Sequence, residues 1–370
     1  MRRVKALVTK EFYQIIRDPS SLLISIVLPM LLLFIYGFGI SLDYKHLQIG
    51  LVLEDTAPDA ISFSKALIDS EYFDVEVARD RPTIERQIST GKLHGMVVVP
   101  SYFSSFRQRT DQVAPIQVIA DGSDPNTANF VQNYVLGAFQ NWLVQEKISS
   151  DWDDVPLVQL EPRFWFNEDL ESRHFIIPGS LAIIMTLIGT LLTSLVIARE
   201  WERGTMESLL ATPLKAWEIV VSKLISYFAL GMIAFICSTA VAALVYQIPL
   251  RGSWLLLLAS AATFLIGALG LGLLLSTGLK NQFAASQAAI VVAFLPAYML
   301  SGFLFEISTM PLPIRLITYV IPARYFVSCL QTLFLAGTVW KLVLKSMAIM
   351  GLMGCIVLFL TVKKTVKRLD

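Results

Sequence analysis

The chain has 370 residues, of which 55% are hydrophobic and only 16% charged, and its formal net charge is +1. Soluble globular domains carry about 25% charged residues, so this composition excludes an ordinary soluble enzyme and points to the bilayer. The net charge as a total is uninformative, because what matters in a membrane protein is the side of the bilayer that Lys and Arg occupy; nucleic acid is not an expected partner.

The first segment, residues 1–20, reads "MRRVKALVTKEFYQIIRDPS". Val4, Leu7, Val8, Phe12, Ile15 and Ile16 fall at helical spacing with Arg and Lys opposite, the pattern of a cytoplasmic amphipathic helix lying on an anionic membrane face. Asp18-Pro19 ends it, because a residue before proline resists the α conformation. Residues 21–42 follow as the first span. The apolar run from Leu22 to Leu42 is too long for a secretory signal and lacks a small-residue cleavage site.

Residues 43–174 are long enough for a domain of their own. Strand-like runs ("QIGLVLED", "FDVEVAR", "HGMVVVP", "PIQVIADGSD") alternate there with helix-like ones ("ISFSKALIDS", "PTIERQIST", "NTANFVQNYVLGAFQNWLVQEKI"). The segment is therefore expected to be an extracytoplasmic α/β domain. Ser123 or Asp124 with Pro125 marks the turn from its last strand into its last helix.

Residues 175–370 hold five further runs free of Asp, Glu, Lys and Arg, at 175–198, 224–248, 254–277, 283–304 and 346–362. A 30 Å hydrocarbon core needs about 20 apolar residues in a helix. The last run is short, so its helix is expected to begin earlier, with Lys341 and Lys345 reaching toward the interface. The three cysteines, Cys237, Cys329 and Cys355, lie in these apolar stretches without metal-ligand spacing and read as packing residues. "GALGLG" at 267–272 permits close helix contact, and Pro29 and Pro296 are candidate bends.

With both termini in the cytoplasm, the inner flanks carry fourteen Lys and Arg (residues 2, 3, 5, 10, 17, 199, 203, 215, 223, 280, 363, 364, 367 and 368) against Arg251, Arg315 and Arg324 in the short outer segments. A seventh crossing through the proline-broken stretch 306–339 would put "KKTVKRLD" outside. That stretch is therefore expected to dip into the outer leaflet and return, its backbone covered by protein.

No run holds an ionisable residue in its interior, which argues against a proton- or sodium-driven transporter or a channel. Gly91-Lys92 is the only Gly-Lys pair, and it lacks the rest of a phosphate-binding loop. There is no "HExxH", no nucleophile elbow, and His46, His94 and His174 lie far apart. A sensor would need a cytoplasmic output domain, and none is seen. Any work done on the chain is expected to come from another protein.

Charge returns abruptly at "REWERGTMESLLATPLK", 199–215. Gly204 breaks the preceding helix and Thr205 can cap a short new one. Thr212 can cap the next, with Pro213 at its first position. On the short helix Met206, Leu209 and Leu210 form an apolar face beside Glu207 and the cluster Arg199, Glu200, Glu202 and Arg203. Such a helix can rest on lipid, or it can insert into the groove of a soluble partner with its charges fixing the register.

At this stretch the sequence resembles a family. "AREWERGTMESLLATPLKAWEIVVSK" (198–223) is similar to the signature segment of ABC-2 type permeases, in the drug-export group with a large domain between spans one and two. The likeness extends through "KEFYQIIRDPSSLL" (10–23), "HFIIPGSLAIIMTLIG" (174–189), "AFLPAYMLSGFLF" (293–305) and "IPARYFVSCLQTLFLAG" (321–337), and is strongest to permease subunits of enterobacterial multidrug-efflux complexes.

The resemblance implies a multi-pass protein of the bacterial inner membrane: an α-helical polytopic fold of six spans with outer re-entrant helices between spans five and six, and an inserted α/β domain. It implies a second permease half, identical or related, and two copies of a separate ATPase that binds ATP and Mg while this chain holds no cofactor. Glu200, Glu202, Arg203, Gly204, Thr205, Met206, Glu207, Leu209, Leu210, Thr212 and Pro213 would couple to that ATPase, with the N-terminal helix as a second contact. The expected cargo is a hydrophobic or amphipathic compound, drugs in the family's terms, with a lipid or lipid-linked compound as the alternative; a periplasmic adaptor and an outer-membrane channel are candidate further partners.

Overall fold

The computed structural model describes residues 2–39, 46–107, 116–122, 125–149 and 171–365. The Ser123–Asp124 turn, Lys367 and Arg368 lie outside the described residues. The chain forms two compact units, one from Leu42 to Pro162 and the other from Met1–Ser41 with Arg163–Asp370.

In the membrane unit, α1 (Arg2–Ile16) precedes the first apolar helix, α2 (Pro19–Gly39). The sheet unit follows in sequence as β1 (Leu47–Leu53), α3 (Pro58–Ile68), β2 (Phe73–Ala78), α4 (Arg81–Ser89), β3 (Gly95–Val99), α5 (Phe103–Arg107), β4 (Gln117–Ala120) and α6 (Pro125–Ser149). Strand order is β2-β1-β3-β4, with β1 parallel to both neighbours and β4 antiparallel to β3.

Successive strand residues point to opposite faces, and here both faces are covered. Leu47, Ile49, Leu51, Val97 and Val99 meet Phe63 and Trp142 on one side, while Val52, Met96 and Val98 meet Ile84 on the other. Asp55 closes the ends of β1 and α5 together, its carboxylate accepting from the Ala57 and Ser104 backbone N–H groups at 2.9 Å. Burial alone would raise the Asp55 pKa; these N–H donors outweigh it and hold the carboxyl below its ordinary value.

The membrane unit continues with α7 (Ser172–Glu202), α8 (Thr205–Leu210), α9 (Ala216–Leu244), α10 (Trp254–Leu279) and α11 (Gln282–Leu300). Then come α12 (Leu312–Thr318), α13 (Pro322–Ala336) and α14 (Trp340–Lys364). Six helices, α2, α7, α9, α10, α11 and α14, are long and apolar enough to cross a membrane. Of the most apolar window of α7, 83% is buried, against 22% for α2, α11 and α14. So α7 is the central post, and the other three keep most of their surface outward within this chain. The sixth begins at Trp340, ahead of Lys341 and Lys345.

Small residues set the helix crossings. Gly267 of α10 faces Gly354 of α14, and Gly189 of α7 faces Ala268. A Cβ at Gly272 would overlap the Thr193 hydroxyl and the Thr190 carbonyl oxygen on α7. Thr193 also donates across the crossing to the Leu269 carbonyl at 2.9 Å. Gly272→Ala should therefore destabilise the detergent-purified chain by about 1–3 kcal/mol, the usual cost of overpacking. An unchanged thermal midpoint would show that α7 and α10 do not pack so closely.

Pro29 and Pro296 act through helix width. Each lacks an N–H and crowds the carbonyl four residues back, and each follows a π-turn. Leu28 N–H donates to Leu23 O, and Leu295 N–H to Ile290 O, five residues back in both cases.

Helices α12 and α13 meet at 81°. The break keeps its backbone bonded locally: Tyr319, Val320 and Ile321 N–H donate to carbonyls three residues back, and the Tyr325 hydroxyl donates to Tyr319 O at 3.0 Å. α13 wedges inward on Ala323, Phe326, Val327, Cys329 and Leu330, with Phe326 stacked on Phe264 at 4.2 Å. Of the three cysteines only Cys329 is a packing residue. Cys237 and Cys355 are exposed on the outer faces of α9 and α14, a correction that follows from helix rotation, which an all-apolar helix does not reveal.

Candidate functional site

The charged end of the membrane unit is built from α1, the last turn of α7, α8, and the first turns of α9 and α11. On α1, Glu11 and Ile15 lie four apart on the inward face, and they are the residues of that helix that are fully buried. Phe12 and Ile16, assigned by periodicity to the same apolar stripe, are exposed instead. The stripe that packs against α9 runs Val4, Leu7, Val8, Glu11, Ile15.

An acid within an apolar stripe needs a cation, and Lys223 provides it from two turns inside α9. Its Nζ lies 3.0 Å from Glu11 Oε1 and 3.0 Å from Glu200 Oε1, and Lys223, Glu11 and Glu200 are only 1%, 2% and 2% exposed. Lys10, half out in solvent, adds contacts of 2.9 Å to Glu200 and 3.2 Å to Glu11. Two carboxylates and two ammonium groups give a local charge of zero. The cluster can stay buried for that reason, since an uncompensated interior charge costs several kcal/mol.

Further contacts fix the same elements. Arg199 pairs with Asp18 across the α1–α2 junction, and Arg3 donates to the Pro213 carbonyl at 2.8 Å. Burial raises the Asp18 pKa, but hydrogen bonds from Ser21 and Arg199 prevail and hold it below the ordinary carboxylate value. Glu202 accepts from the Gln282 backbone N–H at 2.7 Å and from its side-chain amide. Lys280 lies over the Trp201 ring, 4.4 Å from its centroid.

The segment 199–215 differs in detail from its local sequence rules. Gly204, at φ 68°, ends α7 in the left-handed conformation and is itself the residue before α8; Thr205 is the first helical residue, and its hydroxyl donates back to Glu200 O at 3.3 Å. A glycine one step past a helix end takes the αL geometry without a Cβ penalty, and that outweighs a threonine cap. Thr212 likewise caps nothing: its hydroxyl donates to Leu209 O, and α9 starts three residues after Pro213. There the Glu218 carboxylate accepts from the Lys215 N–H at 2.7 Å.

Of the residues assigned to a partner surface, Glu200 and Met206 are 2% and 1% exposed and lie inside this chain. Met206 is thus withdrawn from the apolar knob, because the face of α8 that carries it turns inward. Glu202, Arg203, Gly204, Thr205, Glu207, Thr212 and Pro213 are exposed, and Leu209 is half-buried; the Leu210 side chain lies outside the described residues. The result is a short exposed helix that follows directly on the ion-paired end of α7. Glu11, Lys10, Asp18 and Lys223 are the members that sequence reading missed. Glu11 within the 4-8-11-15 stripe was the available signal.

The family described as "ABC-2 family transporter protein" matches residues 19–363. The chain belongs to the ABC-2 transporter family. This ABC-2 permease is 48% identical over 369 residues to an Escherichia coli K12 protein named "Probable multidrug ABC transporter permease YbhS", with 100% of this chain and 98% of that protein covered. It is 27% identical over 334 residues, 90% of each chain, to "Probable multidrug ABC transporter permease YbhR" of the same organism. To the E. coli "Inner membrane transport permease YhhJ" it is 29% identical over 265 residues, 68% of each.

Proposed function

We propose that this ABC-2 permease is the membrane-spanning half of an exporter that moves hydrophobic or amphipathic compounds, drugs among them, out of the cytoplasm or inner leaflet. Two copies of a separate ATPase bind ATP and Mg, and a second permease half, identical or related, completes the membrane path. The chain sits in the bacterial inner membrane with both termini cytoplasmic, and the sheet unit is extracytoplasmic, where it gates release or meets an adaptor leading to an outer-membrane channel.

The observation that carries this reading is the exposed helix α8, which follows directly on the end of α7, where Glu200 is ion-paired to α1 and α9. A push on α8 then bears on α7 and, through those ion pairs, on α1 and α9. A cavity of about 480 Å³ between the helices supports a hydrophobic cargo: its walls are Phe264, Val292, Pro296 and Met353, with Thr186 and Thr190 as polar points. Both threonine hydroxyls already donate to carbonyls of their own helix, so the lining is effectively apolar.

Inside-out vesicles holding the permease and its ATPase should accumulate a lipophilic fluorescent cation when ATP is added. Vesicles in which the ATPase phosphate-loop lysine is replaced by methionine should not. Transport that persists without the ATPase and follows a proton gradient would overturn the proposal.

A further inference from the structure

At the end of the membrane unit away from the ion-pair cluster lies a second, larger cavity of about 1000 Å³. It is bounded by Phe175 at the start of α7, the 301–308 segment, the α12–α13 break and the first turns of α14. Phe175 and Glu200 are separated by 25 residues of one continuous helix, or about 37 Å at 1.5 Å per residue. So the cavity and the charged cluster occupy opposite ends of the membrane unit.

Its polar groups are unusual for such a place. Arg324 and Lys345 both line it, and among the described residues neither has a carboxylate partner. The Arg324 guanidinium donates to the Thr318 hydroxyl and lies over the Tyr319 ring, 3.9 Å from its centroid, with its remaining N–H groups unassigned. The one acid of the lining, Glu306, is taken up by the Ser308 hydroxyl. The side-chain nitrogen of Gln331 is buried in the wall and has no acceptor among the described residues. Among the described residues, two cations against one carboxylate leave the site with one positive charge and a buried donor to spare.

We infer that this cavity binds a phosphodiester lipid, the phosphate held by Arg324 and Lys345 and the chains lying along Phe175, Phe303 and Ile349. A monoanionic phosphate neutralises the surplus charge, and guanidinium groups match its oxygens in paired geometry. Lys345 sits where a long side chain carries its charge from an apolar helix face to the interface. Nearby Leu304, Phe305 and Leu344 are exposed, which favours an amphiphile over a soluble anion. The volume matches the upper end of small-molecule sites, about 300–1,000 Å³.

Native mass spectrometry of the full-length chain in detergent, titrated with phosphatidylglycerol, tests the assignment. Bound lipid at limiting concentration should fall about tenfold in the Arg324→Gln/Lys345→Gln double variant and about threefold in Gln331→Leu. Arg315→Gln, a nearby charge outside the lining, should leave it unchanged. Thermal midpoints recorded alongside separate lost binding from lost folding, and Gln331→Leu keeps both charges should the double variant fail to fold. Equal occupancy by diacylglycerol would refute phosphate recognition. Displacement of the lipid by millimolar inorganic phosphate would make this a soluble-anion site, and undiminished lipid in both lining variants would remove the site altogether. None of these results depends on the ATPase, so they stand apart from the export assay.

Discussion

Replacing Lys223 with methionine should destabilise the permease by about 3–5 kcal/mol, the cost of stranding a buried charge when its partner is removed. The side chain is 1% exposed and lies 3.0 Å from each of two carboxylate oxygens. Without it, Glu11 and Glu200 face each other with only the half-exposed Lys10 to balance them, leaving one net negative charge out of water. Oε2 of each already has no partner among the described residues, so the half-exposed Lys10 is the one donor the two acids would still share. Pairing Lys223→Met with Glu11→Gln restores neutrality, and most of the stability should return. Chemical or thermal unfolding in detergent reads both variants. A single Lys223→Met variant within 0.5 kcal/mol of the parent (roughly the scatter of surface substitutions) would mean that the cluster is hydrated rather than sealed.

The second large effect concerns α8. If this helix seats on the ATPase, Leu209→Asp removes a leucine contact of about 1.5–3 kcal/mol, equivalent to a tenfold or greater loss of partner affinity. Arg203→Glu and Glu207→Lys, at the solvated rim, should each cost under about 1 kcal/mol. The readout is co-purification of the ATPase with drug-stimulated hydrolysis, on permease shown to be folded. Met206 is unsuited to this test because it is buried within the permease itself; Met206→Asp would damage the chain before it met a partner. Full binding and transport by Leu209→Asp would return α8 to the role of a helix resting on lipid.

The spans were legible because twenty apolar residues in a row have few alternatives, and the sheet unit because alternating valines and isoleucines between helix-like runs leave little choice of class. The ion-pair cluster was not. Glu11 and Lys223 are 212 positions apart and Lys10 and Glu200 are 190, so each looks like an ordinary flanking charge when read locally. The same locality misplaced the caps at Thr205 and Thr212. Both have the chemistry to cap, yet the fold uses Gly204 and Glu218 because the end of one helix and the start of the next are settled by how α7 and α9 pack. Rotation of an all-apolar helix is equally silent in sequence, which is why Cys237 and Cys355 read as packing residues although they are exposed.

Because Lys223 is shared by two helices that have no covalent link near it, α1 and the end of α7 cannot shift against α9 by much more than a hydrogen-bond length without wetting or stranding a charge. Those three therefore travel as one block. Any change of shape that the permease undergoes has to be taken up elsewhere, in the widened turns before Pro29 and Pro296, where a helix can yield by one residue without coming apart. In mechanical terms the chain is a stiff handle joined to compliant rods.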